Sequence, residues 1–262
     1  MAWPRVQLFE FNDLAWVPAS LRDILVETLG ATLEGGGLLS ALLPVLDAWL
    51  DECATNEVLD LCAGSGIPGQ VLARAWHASG RHDRRLLLSD LYPRVEAWRR
   101  AQRQQPELLS FVAEPVDATA IAPSVSSGRA RLILNAFHHF APDFAPNILR
   151  AAVNDQAPIF IAEPFERSPL ALLPLIPPGV PAMATLPLTS PNARLEKALW
   201  NWFTPIGSLV GLWDGVISSL RVYNERELRS MVEPFGSSYR WEYGTYDYAY
   251  GGRGYYFHGM SR

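Results

Sequence analysis

The segment Glu57-Val-Leu-Asp-Leu-Cys-Ala-Gly-Ser-Gly-Ile-Pro-Gly69 restricts the possible folds more than any other part of this 262-residue chain. A short apolar run, Glu57 to Leu61, ends beside the acid Asp60, passes Gly64 and Gly66, and enters Gln70 to Ser79, a stretch suited to a helix. Glycines at such a bend let the backbone turn tightly and let a ligand approach where a Cβ would block it. Strand, turn and helix in this order form one unit of a parallel α/β sheet.

The same alternation continues downstream. Further strands are predicted at Arg85 to Ser89, Ser110 to Val116, Arg131 to Asn135 and Pro158 to Ala162, with crossover helices at Arg94 to Gln105 and Ala145 to Asn154. The unbroken apolar runs Leu86-Leu87-Leu88 and Leu132-Ile133-Leu134 suit strands covered on both faces. Residues 1–56 read as a helical cap, in which Leu21, Leu25, Val26 and Leu29 share one face and Gly35-Gly36-Gly37 separates a second helix over Leu38 to Asp51. Residues 57–262 form the main domain, interrupted at about 166–220 by an insert rich in Pro, Leu and Trp. A helix at Glu225 to Glu233 and two strands, Tyr239 to Tyr246 and Gly254 to Met260, close the chain as an antiparallel hairpin.

Composition narrows the partners. The net charge of −5 gives no general attraction to phosphate backbones, so nucleic acid is excluded as the expected substrate. The basic run Arg94, Arg99, Arg100 and Arg103 is interrupted by Glu96 and suits a solvated helix face. Cys53 and Cys62 make neither a disulfide framework nor a metal-ligand spacing. Met1 to Asp13 lacks the basic and apolar stretches of a secretory signal, and no uninterrupted apolar run reaches the ~18 residues of a membrane span. A cytoplasmic protein without stable membrane insertion is expected. Lys197 is the sole lysine among abundant Arg, Ala and Pro, a bias expected of a GC-rich bacterial genome.

Two acids follow the Gly-rich turn in order. Ser89-Asp90 ends the second strand, where a carboxylate can accept both hydroxyls of a ribose, and Val116-Asp117-Ala118 follows the third, where Asp117 can accept from an adenine amino group. The turn, Asp90, Asp117 and the terminal hairpin together resemble the class I S-adenosylmethionine-dependent methyltransferases over about residues 57–165 and 220–262. That resemblance implies a doubly wound, Rossmann-like α/β sheet of seven strands with the last antiparallel. It implies S-adenosyl-L-methionine as cofactor, held by Asp60, Ala63, Gly64, Ser65, Gly66, Asp90, Leu91, Asp117, Ala118 and Asn135. Cys62 stands where the family often has glycine, and Pro68 where it has a small residue, so a less open turn is expected. The spacing Gly64, Gly66, Gly69 also satisfies the dinucleotide pattern, which keeps an NAD-dependent oxidoreductase as an alternative beside a non-catalytic cofactor-binding module.

Catalytic candidates follow the fourth strand in Asn135-Ala-Phe-His-His-Phe140. An imidazole titrates near neutrality and can take a proton from a hydroxyl or nitrogen nucleophile, so His139 and His138 are the candidate bases, His139 first, with Glu163 at the end of the fifth strand as a third site residue. Methyl transfer itself asks mainly for alignment of nucleophile and methyl. Asn135 lacks the following prolines and aromatic of base-methylating enzymes. An insert after the fifth strand overlies the carboxyl ends of the sheet, so Trp200 and Trp213, with Trp16, Arg22 and Phe137, are expected to wall a pocket for a small apolar or aromatic acceptor. No metal is expected, and the sequence leaves the oligomeric state open.

Overall fold

Strand order fixes where a ligand can bind, and here all seven strands join one sheet. The computed structural model describes residues 3–262 apart from Pro191. The strands are β1 (Glu57–Asp60), β2 (Arg85–Leu88), β3 (Leu109–Phe111), β4 (Ala130–Leu134), β5 (Ile159–Glu163), β6 (Tyr239–Tyr248) and β7 (Gly252–Ser261), in the spatial order β3-β2-β1-β4-β5-β7-β6. The first five are parallel, whereas β7 runs antiparallel between β5 and β6, with Glu163 opposite Tyr255. The order reverses between β1 and β4, and the crevice above that switch point is where open α/β sheets take ligands.

The helices are α1 (Ala19–Gly35), α2 (Leu38–Glu52), α3 (Ile67–Ala78), α4 (Val95–Gln104), α5 (Pro123–Ser126), α6 (Ala145–Asn154), α7 (Ile176–Thr189), α8 (Arg194–Ala198), α9 (Ile206–Arg221) and α10 (Glu225–Val232). Alternate strand residues feed two cores. Val58, Leu132 and Phe160 join α2, α3 and α4 on one face, while Leu59, Ile133 and Ile161 join α6 and α10 on the other. The leucines of α2 therefore share a core with β1, and residue 56 marks no break in packing. Buried Arg84 locks this arrangement, donating to Asp51 and Asn56 at 2.6 Å each and tying α2 to the start of β2. The hairpin is held by aromatic pairs across strands, Trp241 on Phe257 at 5.3 Å and Tyr243 on Tyr255 at 5.5 Å.

Three expectations are corrected. β3 ends at Phe111 rather than Val116, because Pro115 has no N–H for the ladder and Val116 bonds to Asp90 O instead. The cap is not helical throughout. Before α1 the described chain is an extended strap with one short turn at Phe11–Asp13, clamped onto α9: Asp214 accepts the Phe11 and Asn12 amides at 2.7 and 3.0 Å, and Trp213 donates to Phe9 O.

The third correction concerns apolar length. Leu170–Thr189, a 3-10 turn running into α7, is long and apolar enough by length and composition to cross a membrane, with mean hydropathy 1.4, and little of it is buried. The pair α1 and α2, bent by 69°, meets the same test if read as one span. The insert is pinned to α1 through buried Lys197, which donates to Glu27 at 2.9 Å, Ser190 at 2.5 Å and Asn192 at 3.0 Å.

Candidate functional site

The bend after β1 is built by two left-handed glycines with different duties. Gly64 (φ 50°) faces open space, and a Cβ there would meet nothing within 4 Å. Gly66 (φ 80°) is buried, and a Cβ there would lie 2.7 Å from the Trp98 ring. Of the two, Gly64 leaves its side-chain direction open, whereas at Gly66 the Trp98 ring occupies that direction. The Trp98 indole donates to Gly64 O at 3.0 Å, so α4 braces the bend. Ser65 Oγ accepts the Ile67 amide at 3.3 Å and caps the start of α3, and the Ala63 amide bonds to Ser89 O at 3.0 Å.

Asp90 and Asp60 meet at the same bend, and Asp117 lies after the third strand. Asp90 Oδ2 accepts the Gly64 amide at 2.8 Å and its Oδ1 accepts the Tyr92 amide at 2.9 Å. Each oxygen keeps a lone pair for a hydroxyl donor. Asp60 is buried and accepts the Cys62 amide at 3.2 Å; burial, with a smaller push from nearby Asp90, raises its carboxyl to about 7. Asp117 is exposed, with Oδ1 holding the Thr119 amide and hydroxyl at 2.8 and 2.7 Å, beside buried Ala118. Leu91 and Tyr92 present exposed apolar faces next to Asp90.

Asn135 follows β4 in a left-handed conformation (φ 49°), and its Oδ1 is buried with no hydrogen-bond partner among the described residues. It borders a cavity of about 10 Å³, room for one water, between Leu39, Pro68, Pro164 and Tyr246. An orphaned carbonyl there, an open Gly64 and a carboxylate fixed at Asp90 fit a nucleoside with a cationic tail. A wider depression of about 550 Å³ lies along charged side chains of α10 and touches none of these residues.

Beyond β4 and β5 lies a polar cluster. Glu163, fully buried, accepts the His138 amide at 3.0 Å and pairs with His138 Nδ1 at 2.9 Å. His138 is buried, and its Nε2 has no hydrogen-bond partner among the described residues. The His139 ring lies 4.3 Å from that of His138 and reaches solvent. The strap closes the cluster: Asp13 Oδ2 lies 3.6 Å from His139 Nδ1, Glu10 Oε2 lies 4.0 Å from His139 Nε2, and Arg221 of α9 donates to Glu10 Oε1 at 2.6 Å. Burial pushes the His139 imidazole down, but the hydrogen bond to Asp13 and the charge of Glu10 outweigh it and raise it above its ordinary value. Arg5 bonds the carbonyls of His138, Phe140 and Arg221 and stitches the strap over this loop. The sequence reading missed Glu10, Asp13, Arg5 and Arg221, because nothing local in the sequence brings residues so far apart together.

The expected pocket walls fare unevenly. Phe137 is fully buried in the core against Tyr223 and lines nothing. Trp16 is largely exposed beside Phe11. Trp200 packs in the insert core and donates to Ser20, and Trp213 anchors the strap. Arg22 sits half-buried on α1 and enters no ion pair among the described residues.

No family model matches the chain, and no curated protein matches its sequence. Solved structures match its fold. The plantazolicin methyltransferase BpumL in complex with SAH is 12% identical, with TM-score 0.54 over 96% of this chain and 94% of that one. The methyltransferase domain of bacterial CtHen1-CN is 11% identical, with TM-score 0.50 over 85% and 99%. The mitomycin 7-O-methyltransferase MmcR is 15% identical, with TM-score 0.51 over 88% of this chain and 54% of that one. At these identities the likeness is one of fold, and the chain carries the class I methyltransferase fold, its antiparallel β7 included.

Proposed function

We propose that the chain transfers a methyl group from S-adenosylmethionine to an oxygen or nitrogen of a small apolar or aromatic molecule. The observation that carries this reading is the pairing of Asp90 with the open Gly64 at the switch point of a sheet whose seventh strand is antiparallel. That antiparallel strand also favours this reading over a nicotinamide enzyme, since dinucleotide folds use a mostly parallel sheet.

Asp90 is assigned the ribose hydroxyls, Ala118 and Leu91 the adenine faces, Asp117 its amino group, and the Gly64 bend with Asn135 Oδ1 the amino-acid tail. The cofactor supplies a methyl carbon on a positively charged sulfur, open to in-line attack. The chain contributes alignment, water exclusion and a destination for the acceptor's proton. That destination is the cluster of His138, His139 and Glu163, in which His139 reaches solvent and His138 is held by Glu163. Neighbours named for plantazolicin and mitomycin support a small-molecule acceptor. The cap is assigned to closing over it, since Leu33 and Leu39 line the one-water cavity beside Asn135. Production of S-adenosylhomocysteine from S-adenosylmethionine across a panel of phenols, aliphatic alcohols and amines tests the reading; acceptor-dependent turnover is expected, and its absence across the panel with cofactor bound favours a non-catalytic module.

A further inference from the structure

We infer that Glu10, His138 and His139 form a divalent cation site of the zinc type, clamping the strap onto the β4 end of the sheet. One ligating atom from each of the three lies within 4.8 Å of the others. Zinc bonds of about 2.0–2.2 Å set tetrahedral ligands roughly 3.3 Å apart, so a modest contraction closes the site. Glu10 comes from the irregular strap, just before the Phe11–Asp13 turn.

The atoms not needed for a cation are already engaged, which leaves the right ones free. His138 Nδ1 lies 2.9 Å from the Glu163 carboxylate, and the opposite nitrogen, Nε2, is buried without a partner among the described residues. His139 repeats the pattern, with Nδ1 3.6 Å from Asp13 and Nε2 4.0 Å from Glu10 Oε2. The Glu163 carboxylate behind His138 fixes the tautomer whose Nε2 carries the lone pair and strengthens it as a ligand. Glu10 gives Oε1 to Arg221, which also lies 3.4 Å from His139 Nδ1, so this guanidinium sits on the far atoms of both residues. An unpartnered imidazole nitrogen on a residue 1% exposed is a cost the fold recovers by holding a ligand.

Two imidazoles and one carboxylate with a fourth position open are the donor set of catalytic zinc rather than of calcium or magnesium. Its use in catalysis rests on the methyl-transfer reading: a cation there acidifies a bound hydroxyl, whose proton passes to solvent, and the two imidazoles then act as ligands rather than as bases. Metal binding itself does not depend on that reading.

The test is titration of chelator-treated full-length protein with Zn2+ by calorimetry and with Co2+ by visible absorption. One equivalent is expected to bind with tetrahedral Co2+ bands, with affinity 10–100-fold weaker in Glu163→Gln and in Glu10→Gln. Circular dichroism of each variant separates lost ligation from lost fold, and Glu10→Gln, on the strap, keeps the test open if the buried Glu163 variant misfolds. Absence of binding by the folded protein, or binding that folded Glu10→Gln and His139→Gln leave unchanged, overturns the site. S-adenosylhomocysteine binding is measured on the same samples, so failure of the metal site and failure of the methyl-transfer reading appear as separate results.

Discussion

Asp90 Oδ2 accepts the amide of Gly64 at 2.8 Å, so the acid that ends the second strand also fixes the bend that ends the first. A hydrogen bond to a charged group contributes about 1.5–3 kcal/mol, and here one carboxylate serves both the bend and the proposed ribose contact. Asp90→Asn is expected to weaken S-adenosylhomocysteine binding by roughly 10–100-fold, read by calorimetry.

The two glycines of the bend predict opposite phenotypes. Gly64→Ala puts a methyl into the open crevice at a left-handed residue, costing about 1–2 kcal/mol of stability while blocking the ligand. Gly66→Ala adds to the same backbone strain a Cβ 2.7 Å from Trp98, an overpacking of a further ~1–3 kcal/mol. Melting temperature is expected to fall more in Gly66→Ala, and cofactor affinity per folded molecule to fall more in Gly64→Ala.

His139→Ala is expected to lower turnover by about 10²–10⁴-fold while leaving affinity for S-adenosylhomocysteine within a factor of about two. Single-turnover kinetics beside a binding isotherm checks it. Equal loss of affinity would assign His139 to the cofactor pocket instead.

Asp60 makes stability depend on pH. Its folded carboxyl lies at about 7, above an unfolded value of roughly 3.9, so the fold favours the protonated form. Its contribution is whole below pH ~4 and is lost as pH rises through about 7. Asp60→Asn keeps an oxygen for the Cys62 amide and cannot ionise, so its melting temperature relative to the unsubstituted chain is expected to climb between pH 4 and 8. A difference that stays flat with pH would deny Asp60 the buried, neutral state.

Much of the fold was legible because its signals are local. The run Glu57 to Asp60 with its glycines, the apolar triplets of β2 and β4, and the terminal aromatic strands each carry their own periodicity. The strap was not legible, since Val6, Phe9 and Phe11 are set by partners on α9 two hundred residues away. At Gly66 the motif shows that a Cβ is excluded, and the packing adds that the Trp98 ring excludes it. The site followed the same division. Asp90 and His138 are expected from their places after strands, while Glu10, Asp13 and Arg221 reach the cluster through tertiary packing alone.

The most direct measurement is a pair of calorimetric titrations of the full-length chain, one with S-adenosylhomocysteine and one with NAD. Stoichiometric binding of the sulfur nucleoside, weakened in Asp90→Asn, with no heat from NAD, is the predicted result. Saturable NAD binding with no response to S-adenosylhomocysteine would contradict it.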